Sequence, residues 1–86
     1  MARAPVRSRT SGNPKVAFGR VLRELREKQE YSQDGFAHHT GYHRNYIGQL
    51  ERGEKSPSLT ALFNLASALG LKASQLLQLV EHQLGH

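Results

Sequence analysis

Between residues 44 and 53 the chain reads RNYIGQLERG. A helix that buries Ile47 and Leu50 turns Arg44, Asn45, Gln49 and Arg52 the other way, around Gly48. These are side chains suited to nucleobase edges. An arginine donates two parallel hydrogen bonds to guanine O6 and N7, and an asparagine or glutamine pairs with adenine N6 and N7, each contact discriminating by about 1–3 kcal/mol. His43, one position upstream, adds an imidazole, the side chain that changes charge near neutral pH. Arg44, Asn45, Gln49 and His43 are therefore the candidate base-reading residues.

Other chemistries fit the sequence poorly. His38, His39 and His43 suggest a metal site, but neighbouring helical residues diverge by about 100°, and Gly41 interrupts the segment before His43. No acid or thiolate completes a ligand set, so neither a metal nor a cofactor is expected. Ser32 and Ser74 with these histidines make no recognisable nucleophilic arrangement, and there is no glycine-rich phosphate loop. Catalysis is not expected.

The elements that must position the polar face follow from periodicity. Phe18, Val21, Leu22 and Leu25 recur at helical spacing and predict a first helix over about 15–29. Ser32 is a good N-cap for a second helix, with Tyr31 placed to staple onto Phe36. Gly35 stands where a glutamate would have completed a capping box. Gly41 breaks the chain, a third helix runs over about 44–52, and Gly53 stands where a C-terminal glycine belongs. Its N-cap, His43, is an unusual choice. Ser58 caps a fourth helix whose apolar face is read as Leu59, Leu62, Phe63, Ala66 and Leu69, and Gly70 ends it. A fifth follows over about 73–83, carrying Leu76, Leu77, Val80 and Leu84 behind a poor N-cap, Lys72. No segment alternates like a strand. The expected fold is all-α, five short helices around one core.

The second and third helices, joined tightly at Gly41, form a helix-turn-helix over about 32–53. Ala37 is small where the two helices approach, Gly41 accepts the positive φ of the turn, and Ile47 and Leu50 plug the second helix into the core. With these residues in place the chain resembles the lambda-repressor-like helix-turn-helix family of Cro, XRE-type regulators and restriction-modification controller proteins. The likeness covers roughly residues 18–80 and is densest in YSQDGFAHHTG, NYIGQLERGEKSPSL and LASALGL. It implies a five-helix DNA-binding domain that acts as a homodimer on operator DNA. It also implies a phosphate contact by Gln33 and a salt bridge between Arg26 and Glu51 beside the DNA. Ser32, at the positive end of the second helix, joins Gln33 as a phosphate contact, with Tyr46, Arg52 and Lys55 as further ones.

Length and charge fit this reading. With 86 residues there is room for one domain, and zero cysteines exclude disulfide scaffolds and thiolate zinc sites. No apolar run approaches the roughly 20 residues of a membrane span, and no secretory core is visible, so a cytoplasmic protein without membrane contact is expected. The net charge is +5, from 12 basic and 7 acidic residues. Arg3, Arg7 and Arg9 sit in a stretch over 1–14 expected to be a flexible basic arm, which leaves +2 (9 − 7) for the domain over 15–86. The arm would add salt-sensitive attraction to DNA, and the nearly neutral motif would supply specificity.

A single unit reads half an operator, and two half-sites lie about 34 Å apart. The fifth helix is apolar on more than one face, so Leu77, Leu79 and Val80 are the expected dimer interface. The partners expected are a double-stranded DNA operator and a second copy of the chain. The alternative function is an antitoxin of the same fold, and the protein partners that would fit are a toxin or RNA polymerase.

Overall fold

The computed structural model describes residues 12–85. Five helices follow one another: α1 (Pro14–Lys28), α2 (Gln33–Thr40), α3 (Arg44–Glu51), α4 (Leu59–Ala68) and α5 (Ala73–Gln83). Among the described residues there is no strand and no helix long and apolar enough to cross a membrane. Each helix sends at least one side chain to the centre: Leu22, Phe36, Ile47 with Leu50, Leu65 and Leu76 are all fully buried.

The start of α1 lies slightly ahead of the expected boundary. Asn13 caps it, its Oδ1 accepting from the Lys15 amide at 3.0 Å. Pro14 takes the first helical position, where a missing N–H is harmless and the fixed φ is already helical. The last two residues assigned to the arm therefore belong to the helix and its cap. Arg3, Arg7 and Arg9 lie outside the described residues.

The face of α4 also differs from the sequence reading. Ala61, Leu62, Leu65, Ala66 and Leu69 are buried, whereas Leu59 and Phe63 are 73% and 57% exposed. The helix carries more apolar residues than one stripe holds, so two registers satisfied the same period, and the structure takes the one that sets Leu65 in the core. Similarly, Val80 of α5, expected at a dimer interface, is only 6% exposed and packs in the protomer's own core with Leu76 and Leu84. Their spacing of four keeps all three on one stripe. The unpromising N-cap of α5 works because the Gln75 side chain reaches back, its Oε1 accepting from the Lys72 amide at 2.8 Å.

The tightest packing joins α1 to α3 at Gly19. A Cβ built on this residue would fall 2.4 Å from the Leu50 carbonyl oxygen and 2.6 Å from that of Glu51. Both are backbone atoms, so the clash is relieved only by moving a whole helix. Gly19→Ala is expected to destabilise the domain by about 2 kcal/mol or more, at the upper range of overpacking substitutions, as read by chemical denaturation. A midpoint equal to wild type would mean that the two helices are farther apart than described.

Candidate nucleic-acid interface

The turn between α2 and α3 is built as its sequence requires. Ser32 Oγ accepts from the Gly35 amide at 2.9 Å, and the Tyr31 and Phe36 rings meet with centroids 5.5 Å apart. At the other end Gly41 is left-handed, φ 83°, and its amide donates to the Ala37 carbonyl at 2.9 Å. Thr40 then bridges the corner, donating through Oγ1 to Ala37 O and accepting from the Tyr42 amide.

The chain enters α3 through His43, whose Nδ1 accepts from the Asn45 amide at 3.0 Å. An imidazole is thus doing the work of the usual short side chain. The bond needs an unprotonated Nδ1, so the neutral ring carries its proton on Nε2, which leaves a donor pointing away from the helix end.

Beneath α3 lies a buried ion pair. Arg26 of α1 donates to Glu51 through Nε at 2.6 Å and Nη2 at 3.0 Å, and its Nη1 donates to the Tyr31 carbonyl at 2.8 Å. Gln33 of α2 adds a bond from its amide nitrogen to Glu51 Oε1 at 2.9 Å. The side chains of Arg26 and Glu51 are 9% and 3% exposed. Hydrogen bonding to Glu51 pushes the guanidinium pKa above its ordinary value, against the opposing effect of burial. The pairing implied by the family resemblance is therefore present. Gln33, expected at phosphate, has its amide nitrogen committed to holding Glu51.

On the outward side, Arg44 and Asn45 are exposed, Gln49 is half-buried beside them, and His43 stands at the near end. Arg44 Nε lies 3.2 Å from Asp34 Oδ1 on α2. Arg52 pairs with Glu54, Nε to Oε2 at 2.8 Å and Nη2 to Oε1 at 3.4 Å. Hydrogen bonding to Arg52 holds the Glu54 carboxyl below the usual carboxylate range. The pair is thus intact above that range and is lost only as pH falls through the lowered value. The Arg52 guanidinium also lies over Gly48, where a Cβ would come within 2.9 Å of Nη1. The gap that Gly48 leaves in the middle of the face is filled by this arginine. Ser32 and Lys55 are exposed, and Tyr46 is half-buried, its ring tilted against Tyr42 at 5.2 Å.

The histidines take separate positions. His39 stacks on Tyr31 at 5.1 Å and its Nε2 lies 3.1 Å from the Ala68 carbonyl, His43 caps α3, and His38 is exposed. No cluster of metal-ligating residues occurs among the described residues. The sequence reading missed Asp34 and Glu54, the acids that hold the two outward arginines. The balance of Arg44 and Arg52 against Asp34 and Glu51 over residues 32–53 was a signal for Asp34 alone, because Glu54 lies just past the motif.

Leu77 and Leu79 are 43% and 41% exposed but do not share a face. Residues two apart on a helix lie about 200° around its axis. Leu77 borders a groove with Pro14, Phe18, Pro57 and Leu62, whereas Leu79 borders another with Val21, Leu25 and His82.

A short helix with base-matching side chains outward, joined through a glycine turn to a second helix whose N-terminus lies beside it, defines a helix-turn-helix DNA-binding module. A helix-turn-helix family model, HTH_3, matches residues 22–76, and the chain belongs to that family of Cro/XRE-type DNA-binding transcriptional regulators. The control protein C.MunI from a Mycoplasma species is 34% identical over 70 residues, covering 80% of this chain and 95% of C.MunI. Among solved structures, the restriction-modification controller protein C.AhdI from Aeromonas hydrophila is 40% identical. It aligns with a TM-score of 0.69 over 72% of this chain and 94% of its own. The clp gene regulator ClgR from Corynebacterium glutamicum is 25% identical and aligns with a TM-score of 0.78, over 84% of this chain and 77% of ClgR.

Removing the His43 cap tests how α3 is started. His43→Ala is expected to lower stability by about 0.5–2 kcal/mol, and His43→Asn, which restores a short acceptor, to recover most of it. Equal melting of all three proteins would show that the imidazole does not cap the helix.

Proposed function

We propose that the chain is a sequence-specific regulator that binds a near-palindromic operator as a homodimer and controls access of polymerase to the DNA, in the manner of a restriction-modification controller. The observation that carries this reading is the division of α3. Ile47, Leu50 and Glu51 hold it to the body, while Arg44, Asn45 and Gln49 present guanine- and adenine-matching groups on its free side. The likeness to C.MunI and C.AhdI supports the controller reading.

Arg44 and Asn45 act at base edges, with Gln49 and His43 flanking them. Arg52, Lys55, Ser32 and Tyr46 act at the phosphates. Arg52 reaches a phosphate by exchanging Glu54 for it, a small step because the pair is exposed and screened by solvent. Selection of bound fragments from random duplex DNA is expected to return a near-palindrome. Arg44→Ala should then relax preference at one base pair of each half-site, whereas Arg52→Ala should weaken all sequences and reduce the salt slope by about 1. Recovery of no preferred sequence would overturn the reading.

The second copy, in this proposal, covers the apolar side shared by α4 and α5. Leu59 and Phe63 are one turn apart on α4, and Leu62, next to Phe63, borders the same groove as Leu77. Leu79, on the opposite flank of α5, stays outside. Phe63→Lys is expected to yield a folded monomer in sedimentation, while Leu79→Lys remains a dimer. The reverse outcome would move the interface to the α1/α5 groove.

A further inference from the structure

The two arginines of the outward face are held by carboxylates in different ways. Arg52 meets Glu54 side-on, through Nε and Nη2, with Nη1 lying over Gly48. All three of its nitrogens are therefore occupied or covered. Arg44 and Asp34, both exposed, form an ion pair with Nε 3.2 Å from Oδ1, and among the described residues no hydrogen bond to the protein engages the two terminal nitrogens of the guanidinium. A guanidinium steadied at Nε keeps the pair of parallel donors that a guanine edge requires.

The backbone that carries the Asp34 carboxylate is set by its helix. Asp34 lies in the first turn of α2, whose start is set by the Ser32 cap and whose positive end favours a negative charge. It belongs to the neighbouring helix, so its position does not depend on fraying of α3. An arginine with four rotatable bonds otherwise samples many orientations on an exposed helix, and a partner on a second rigid element reduces that number before DNA arrives.

From this geometry we infer that Asp34 is a positioning residue: it orients Arg44 for end-on, two-bond contact with one guanine and so sets base preference at that pair. The inference rests on the DNA-reading function proposed above. It carries a consequence of opposite sign for affinity. A carboxylate beside the reading helix is repelled by the phosphates of every sequence, so Asp34 lowers binding to DNA in general while sharpening the choice at one position. A merely structural acid would support both quantities together, and a merely repulsive one would lower affinity without touching preference.

The test measures both with one variant. On a random-sequence duplex pool at fixed salt, Asp34→Ala is expected to bind about two- to fivefold more tightly. On the selected site and its single-base variants, the guanine preference lost in Arg44→Ala should fall about three- to tenfold, with other positions unchanged. Asp34→Asn, which removes the charge of the ion pair at nearly the same shape, should lose that preference as Asp34→Ala does. In an Arg44→Ala background Asp34→Ala should leave base preference as it is. Tighter binding with every preference intact overturns the inference, and so does a preference lost equally at all positions. If the wild-type chain itself selects no sequence, it is the proposed function that fails and this assignment falls with it. If wild type selects a site and only the Asp34 result is flat, the function stands and the positioning role does not.

Discussion

The buried pair between Arg26 and Glu51 is the constraint on which the rest of the molecule depends. It ties α1 to α3 directly, the α1–α2 connection through the Tyr31 carbonyl, and α2 through Gln33. A charge withdrawn from water must be matched, and removing one partner of such a pair costs about 3–5 kcal/mol because the other is left buried and alone. A domain of this size has a total stability of about 5–15 kcal/mol. The pair bonds to four segments at once, so losing either charge would disturb all of them. The exposed pairs at Asp34 and Glu54 are of another kind. Each joins two solvent-exposed side chains, so water and salt screen it and it contributes little to holding the fold.

Steric fit acts with the pair. Gly19 lets the backbone of α1 lie against the last carbonyls of α3, next to the peptide that carries Glu51. From there Ile47 and Leu50 enter the core beside Leu22, Phe36, Leu65 and Leu76. The orientation of α3 is thus set from behind, by residues that never face solvent. Its visible side adds only the exposed Arg44–Asp34 pair to α2.

How much of this was legible in the sequence depended on the range of the interaction. The Tyr31 staple, the Gly41 turn and the inward Ile47 and Leu50 are local, and spacing alone revealed them. Arg26 and Glu51 are 25 residues apart, and family likeness rather than periodicity paired them. Gly19 carried no signal at all, because its requirement exists only once two helices are brought together. On α4, apolar residues outnumbered the positions of one stripe, so Leu59 and Phe63 were read inward although they lie outside. Val80 erred the other way, since helix five has leucines on several sides and composition does not say which side is covered. His43 looked like a poor cap because the rule concerns short oxygen-bearing side chains, whereas ring geometry brings Nδ1 to the same place. The partners of Arg44 and Arg52 depend on rotamers at the surface, which no pattern of residue types encodes.

The separation of the two sides of α3 bears on how such a protein changes over generations. Arg44 and Asn45 are exposed and make no buried contact, so substitutions there leave folding nearly untouched. On the proposed function, a change of base preference made there needs no intermediate that fails to fold. The scaffold is locked at Gly19, Arg26 and Glu51, on the side of α3 away from Arg44 and Asn45.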